Sequence, residues 1–206
     1  VTIGTAIAGA ENAIAGNTGD GIRVSGGPAG NAIEGNFIGI DGSGTFSVPN
    51  GGHGGNVIGG QPFIGGKNNA NNALDGVAVV GATGVTIVSS IYPNGGLPID
   101  LGNDGDTGND ALDADVGPNN LQNYPSITFA AGNDQGELFS TPNSQFTITA
   151  YSGSAVGNAR VILGSIVCNT DRAGHCNWGP IAAAPPSGSV VTATATDTAG
   201  NTSEMG

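Results

Sequence analysis

The first half of the chain carries its apolar residues in short bursts: Gly21-Ile22-Arg23-Val24, Phe37-Ile38-Gly39-Ile40, Val77-Ala78-Val79-Val80 and Val85-Thr86-Ile87-Val88. None is long enough for a helix, so each predicts a short β-strand. A motif recurs around them, in Asn12-Ala13-Ile14-Ala15-Gly16-Asn17, Asn31-Ala32-Ile33-Glu34-Gly35-Asn36, Asn56-Val57-Ile58-Gly59-Gly60 and Asn72-Ala73-Leu74-Asp75-Gly76. Strands this short, with Gly or Asn at each corner, do not suit an up-and-down sheet joined by matched hairpins. They suit the sides of a parallel β-helix, in which turns of about 20 residues stack at the strand spacing and inward Ile, Val and Leu form columns. Gly and Asn tolerate the left-handed backbone of the corners, and stacked Asn side chains can hydrogen-bond along a column.

From Ser126 onward the pattern changes to alternation, in Ser126–Phe129, Gln145–Tyr151, Arg160–Val167 and Val190–Thr196. Period-two runs separated by Gly, Pro and Asn turns predict an antiparallel β-sandwich. The chain therefore reads as β-helix coils over 1–98, an acidic linker over 99–125 and a small sandwich over 126–206.

Composition narrows the setting. Only 10% of the 206 residues are charged and the formal net charge is −12. Nucleic acid and anionic membrane surfaces both demand Lys/Arg clusters, which this chain lacks. No apolar run reaches the roughly 18 residues of a membrane-spanning helix, so no membrane insertion is expected. The chain starts on Val, which suggests a processed or excised form. Cys168 and Cys176 enclose the polar loop Asn169–His175, a length a hairpin can close with a disulfide. A zinc site built from the two cysteines with His175 and Asp171 lacks the usual ligand spacing.

Asp100, Asp104, Asp106, Asp110, Asp113 and Asp115 crowd a segment without Lys or Arg. Six unbalanced acids would repel one another, and a hard cation such as Ca²⁺ would relieve this with oxygen ligands, Asn103 and Asn109 adding two more. The order of residues matches neither an EF-hand loop nor a clean Gly-Gly-x-Gly-x-Asp repeat. A solvated acidic linker whose Asp residues cap turns is the alternative. No nucleophile, zinc-protease, P-loop or dinucleotide motif is present, and no catalytic residue can be named. Asp20 and Arg23 read as a surface ion pair. Asn201-Thr202-Ser203 matches an N-glycosylation sequon, a match that is common by chance.

The repeats, especially Asn17-Thr18-Gly19-Asp20-Gly21-Ile22-Arg23-Val24 and Gly35-Asn36-Phe37-Ile38-Gly39, resemble bacterial extracellular right-handed parallel β-helix repeat proteins. Pro98–Gly105 and Asp113–Pro125 resemble the segment that leaves the last coil in such proteins and enters a β-sandwich. Val190–Glu204 is similar to the last strand of bacterial immunoglobulin-like modules. The resemblance implies an all-β chain, a right-handed parallel β-helix followed by an immunoglobulin-like β-sandwich, at the cell exterior. It does not imply a reaction.

An uncapped β-helix end recruits another strand. The sandwich covers one end, and the edge at Val1 and Ile3 is the expected assembly surface. The reading is a non-enzymatic extracellular structural or adhesive protein whose partner is itself, assembling head to tail into a fibre. The alternative is a carbohydrate-binding or polysaccharide-cleaving surface protein, marked by a sugar-sized groove at Arg23, Lys67 or Trp178 with acids nearby.

Overall fold

The computed structural model describes residues 1–129, 134–153, 161–181, 185 and 188–206; Arg160, expected to open a strand, lies outside them. The chain is all-β and changes character near its middle. Ten short strands come first: β1 (Thr2–Gly4), β2 (Ala13–Ile14), β3 (Ile22–Ser25), β4 (Ala32–Glu34), β5 (Phe37–Ile38), β6 (Gly55–Gly59), β7 (Phe63–Asn69), β8 (Val77–Val79), β9 (Thr86–Ile91) and β10 (Ile99–Leu101). Every pairing among them is parallel. One sheet joins β1, β4, β7, β5, β2 and β9; the other runs β10-β8-β6-β3.

The parallel registers turn short apolar bursts into columns. Ile3 lies beside Ile33, Ile33 beside Ile64 and Ile64 beside Ile87. On the second sheet Val24, Val57, Val79 and Leu101 line up in the same way. These residues form one buried apolar cluster, with Ile3, Ile14 and Val24 only partly covered at its margin. Because β10 belongs to this sheet, the parallel stack continues past the expected boundary at residue 98.

Corners are set by glycine and asparagine, as anticipated, but the repeat register differs from the one read in the sequence. The equivalent positions are Asn17, Asn50, Asn72 and Asn94, separated by 33, 22 and 22 residues. Asn17 Nδ2 donates to Asn50 Oδ1 at 2.8 Å, Asn50 Nδ2 to Asn72 Oδ1 at 2.8 Å, and Asn72 Nδ2 to Asn94 Oδ1 at 2.9 Å. The longer first interval contains a turn held by Asp41, whose carboxylate accepts from the Thr45 and Phe46 N–H groups and from Ser43 Oγ. Those bonds hold its pKa down at about 2. Gly39 shows why one corner requires glycine: its φ is +76° and a Cβ would fall 1.9 Å from the Ala70 carbonyl oxygen.

After a short 3₁₀ turn at Pro118–Leu121 come β11 (Ser126–Phe129), β12 (Asp134–Phe139), β13 (Gln145–Gly153), β14 (Val161–Asn169), β15 (His175–Ile181) and β16 (Val190–Asp197). They form two antiparallel sheets, β11-β12-β15 and β14-β13-β16. Both sheets contribute to one core, which includes Leu138 and Trp178 from the first and Phe146, Ile148, Ala193 and Ala195 from the second. Cys168 on β14 and Cys176 on β15 form a disulfide, which ties one sheet to the other. Opening it by the double substitution Cys168→Ala/Cys176→Ala is expected to cost about 2–3 kcal/mol, the loop-closure value for so short a loop. Thermal unfolding with and without reductant would show it as a lower Tm in the reduced wild type alone.

Candidate functional site

Two regions have properties that ordinary packing does not demand: the two edges of the parallel stack, and the acidic junction beside one of them. At the β9/β10 edge several of the backbone groups that could meet another strand are taken by side chains. Ile87 N–H donates to Thr202 Oγ1 at 3.0 Å, Leu101 N–H to Glu204 Oε1 at 2.8 Å and Gly84 N–H to Asn201 Oδ1 at 2.6 Å. Asn119, fully buried, takes the Val85 N–H on Oδ1 and donates Nδ2 to the carbonyls of Val85 and Thr202. A sheet edge blocked by fixed acceptors cannot pair further, which is how natural proteins suppress edge-to-edge association. Asn201 and Thr202 of the sequon match are buried in this cap, and Asn201 Nδ2 donates to Asp197. Neither can serve as a glycan acceptor in the folded protein.

The opposite edge is different. β1, β2 and β3 each end a strand series and pair on one side. An open cleft of about 250 Å³ lies among Val1, Ile3, Ile22, Val24 and Ile33, with Arg23 and Pro62 at its margin. Val1 is 87% exposed, and its amino group donates to Asn31 Oδ1. Arg23 has no ion-pair role with Asp20, because the Asp20 carboxylate accepts instead from the His53 N–H and Asn56 Nδ2. Among the described residues Lys67 pairs with Glu11, and His53 Nδ1 lies 3.0 Å from Asp75 Oδ2 in a buried contact.

The six acids of the junction do not converge on one point. Asp110, Asp113 and Asp115 bring carboxylate oxygens within 4.8 Å of one another, a set that could hold a metal ion. Asp100, Asp104 and Asp106 do not join that group. Asp100 sits in β10 and accepts from the N–H groups of Asn103, Asp104 and Gly105, a turn-capping role. Asp113 joins the two halves, taking the Asn123 N–H on Oδ1 and the Ser140 hydroxyl on Oδ2. Burial and the neighbouring acids push the Asp113 and Asp115 pKa values up, and Asp115 Oδ1 is buried without a hydrogen-bond partner.

Glu204 was not singled out by its sequence context, and no local signal marks it, since the groups it meets are distant in the chain. Its Oε2 accepts from the Thr107 N–H at 2.9 Å, so one carboxylate clamps both β10 and the junction. Burial raises its pKa to about 7, against the two N–H bonds that lower it, with Asp100 and Asp106 adding repulsion. A folded pKa above the unfolded value means that the protonated form stabilises the fold. That contribution is fully present below the ordinary carboxylate range and is lost as pH rises through about 7. Tm is therefore expected to fall between pH 5 and pH 8, and a Glu204→Gln variant to show a flatter profile.

Trp178, considered as a sugar platform, is 3% exposed and belongs to the core. No helix among the described residues is long and apolar enough to cross a membrane. No protein-family model and no curated protein sequence matches this chain.

Proposed function

We propose that this chain is a structural protein of the cell exterior, a right-handed parallel β-helix followed by an immunoglobulin-like β-sandwich, that assembles head to tail into a fibre. The observation that carries the reading is the unequal treatment of the two edges. Ile3, Ile14 and Val24 are only partly buried at the margin of the apolar core, whereas Asn119, Asn201, Thr202 and Glu204 bond backbone groups at the β9/β10 edge. An edge of this kind gains burial and backbone pairing from one more strand. Since the last parallel strands are blocked, the receiving surface on the next copy is β14, an edge strand of its sheet that leaves Val161 and Val167 more than half exposed. The Cys168–Cys176 bond supports an oxidising compartment, where disulfides persist.

Negative-stain imaging and sedimentation of the concentrated protein test this. Regular filaments are expected from the parent chain, and dispersed particles from Ile3→Lys/Val24→Lys, which places charge at the ends of the columns. Monomers of the parent chain at every concentration, or a closed dimer, would overturn head-to-tail assembly.

A second reading concerns the junction. The Asp110, Asp113 and Asp115 carboxylates, with the orphaned Asp115 Oδ1, support a cation joint suited to Ca²⁺, a hard ion that takes oxygen ligands. Millimolar Ca²⁺ is expected to raise the Tm of the wild type and not that of Asp115→Asn. An equal response in both proteins would remove the joint.

A further inference from the structure

The outer face of the parallel sheet carries a groove that the assembly reading does not use. Along β7 the side chains alternate, Ile64 entering the core while Phe63 and Lys67 stay outside. Together with Gly65 of the same strand, Glu34 of β4 and Glu11 from the loop after β1, they line an open groove of about 420 Å³. Phe63 is 37% exposed at its wall. Its ring rests where a Gly65 side chain would be, since a Cβ there would fall 2.4 Å from Phe63 Cε1. Glycine at 65 therefore allows the ring to lie down along the strand and present aromatic surface to the groove.

The charges are arranged equally specifically. Lys67 Nζ pairs with Glu11 and sits 5.3 Å from the centre of the Phe37 ring, so its charge is held and compensated. Glu34 adds a second carboxylate, and two carboxylates against one ammonium leave the groove net negative. In a chain with formal net charge −12, this repels an anionic polymer. It leaves fixed acceptors and one fixed ammonium donor beside an aromatic wall. Concave sites of this kind bind ligands that have an apolar face and several hydroxyls: the apolar face covers the ring, and the hydroxyls donate to carboxylates or accept from the ammonium.

We propose that this groove binds a neutral saccharide, with the sugar ring against Phe63 and its hydroxyls on Glu34 and the Lys67–Glu11 pair. Acidic glycans, which a basic groove would take, are disfavoured by its net negative charge. The site stands apart from the assembly edge in its chemistry and in its test.

The probes are neutral hexasaccharides of glucose, xylose, mannose and N-acetylglucosamine, with hexagalacturonate as the anionic comparison, titrated calorimetrically into the full chain. At least one neutral probe is expected to bind, with hexagalacturonate at least tenfold weaker. Phe63→Ala is expected to weaken the neutral probe at least tenfold and Glu34→Ala severalfold, each in a chain that still unfolds cooperatively. Because Phe63 lies outside the buried core clusters, its removal leaves the core in place; Gly65→Ala, which displaces the ring without deleting it, supplies a second reading of the same contact. No heat with any neutral probe, tighter binding of hexagalacturonate, or wild-type affinity in both Phe63→Ala and Glu34→Ala would each overturn the proposal.

Discussion

Asn119→Ala is expected to lower the unfolding free energy by about 3 kcal/mol, a large loss for one polar side chain. Asn119 is fully buried between the last parallel strands and the C-terminal segment. It makes three bonds of 2.7–2.9 Å, one from the Val85 N–H and two to carbonyls of Val85 and Thr202. Alanine removes all three at once and leaves buried backbone groups without these partners, the costly side of hydrogen-bond energetics. Urea unfolding followed by Trp178 fluorescence measures the effect. A second consequence distinguishes a cap from an ordinary buried amide: with the cap loosened, β9 becomes an open edge, and the variant is expected to associate under conditions where the parent does not. A loss below about 1 kcal/mol would mean that water replaces the amide at this edge.

The second large effect is expected at Asn50, in the asparagine column. Asn50 Oδ1 accepts from both the backbone N–H and the Nδ2 of Asn17, and its Nδ2 donates to the Ile14 carbonyl and Asn72 Oδ1. Asn50→Ala is expected to cost about 3 kcal/mol through the loss of this network. Asn50→Asp is the sharper experiment, because the shape is kept while the donor is replaced by oxygen facing two acceptors. It should cost at least as much as alanine at neutral pH. Its penalty should shrink as pH falls, since only the protonated acid can donate, which raises the folded pKa above the unfolded value. Urea titrations at pH 7 and pH 4 report both predictions. A pH-independent deficit in Asn50→Asp would show that the column is set by shape rather than by donor direction.

How much was legible in the sequence differs from region to region. The short strands at Ile22–Ser25, Phe37–Ile38, Val77–Val79 and Thr86–Ile91 follow the apolar bursts, because a strand needs only a few β-branched or aromatic residues between corner residues. The change to antiparallel pairing was legible for the same kind of reason, since alternation is local. The disulfide was legible from a polar loop of hairpin length. The column of Asn17, Asn50, Asn72 and Asn94 was not, because the turn at Asp41 lengthens one interval and hides the 22-residue repeat. An Asn preceding an Ile marks several faces of the stack, and Asn12, Asn31 and Asn56 belong to other positions than Asn72.

The acidic segment shows the same limit. Sequence counts charges, and six acids in one segment leave both a shared ligand set and a turn-capping acidic linker open. The fold assigns them separate work, Asp100 to a turn, Asp113 to the bond with Ser140, and only Asp110, Asp113 and Asp115 to a common point. The groove at Phe63 depends on alternation along β7, on Gly65 leaving room for the ring and on a loop from another turn of the stack bringing Glu11 to Lys67.

By itself the sequence determined what is local: short strands, glycine and asparagine corners, the switch from parallel to antiparallel pattern, the cysteine loop and the acidic balance. Tertiary structure alone decided which residues meet across many residues of chain: the asparagine column, and the bonds of Asn119, Thr202 and Glu204 to the parallel edge. The physical reason is that backbone geometry and hydrophobic period are properties of neighbouring residues, whereas register and edge protection are set by loop lengths and by the stacking of whole turns.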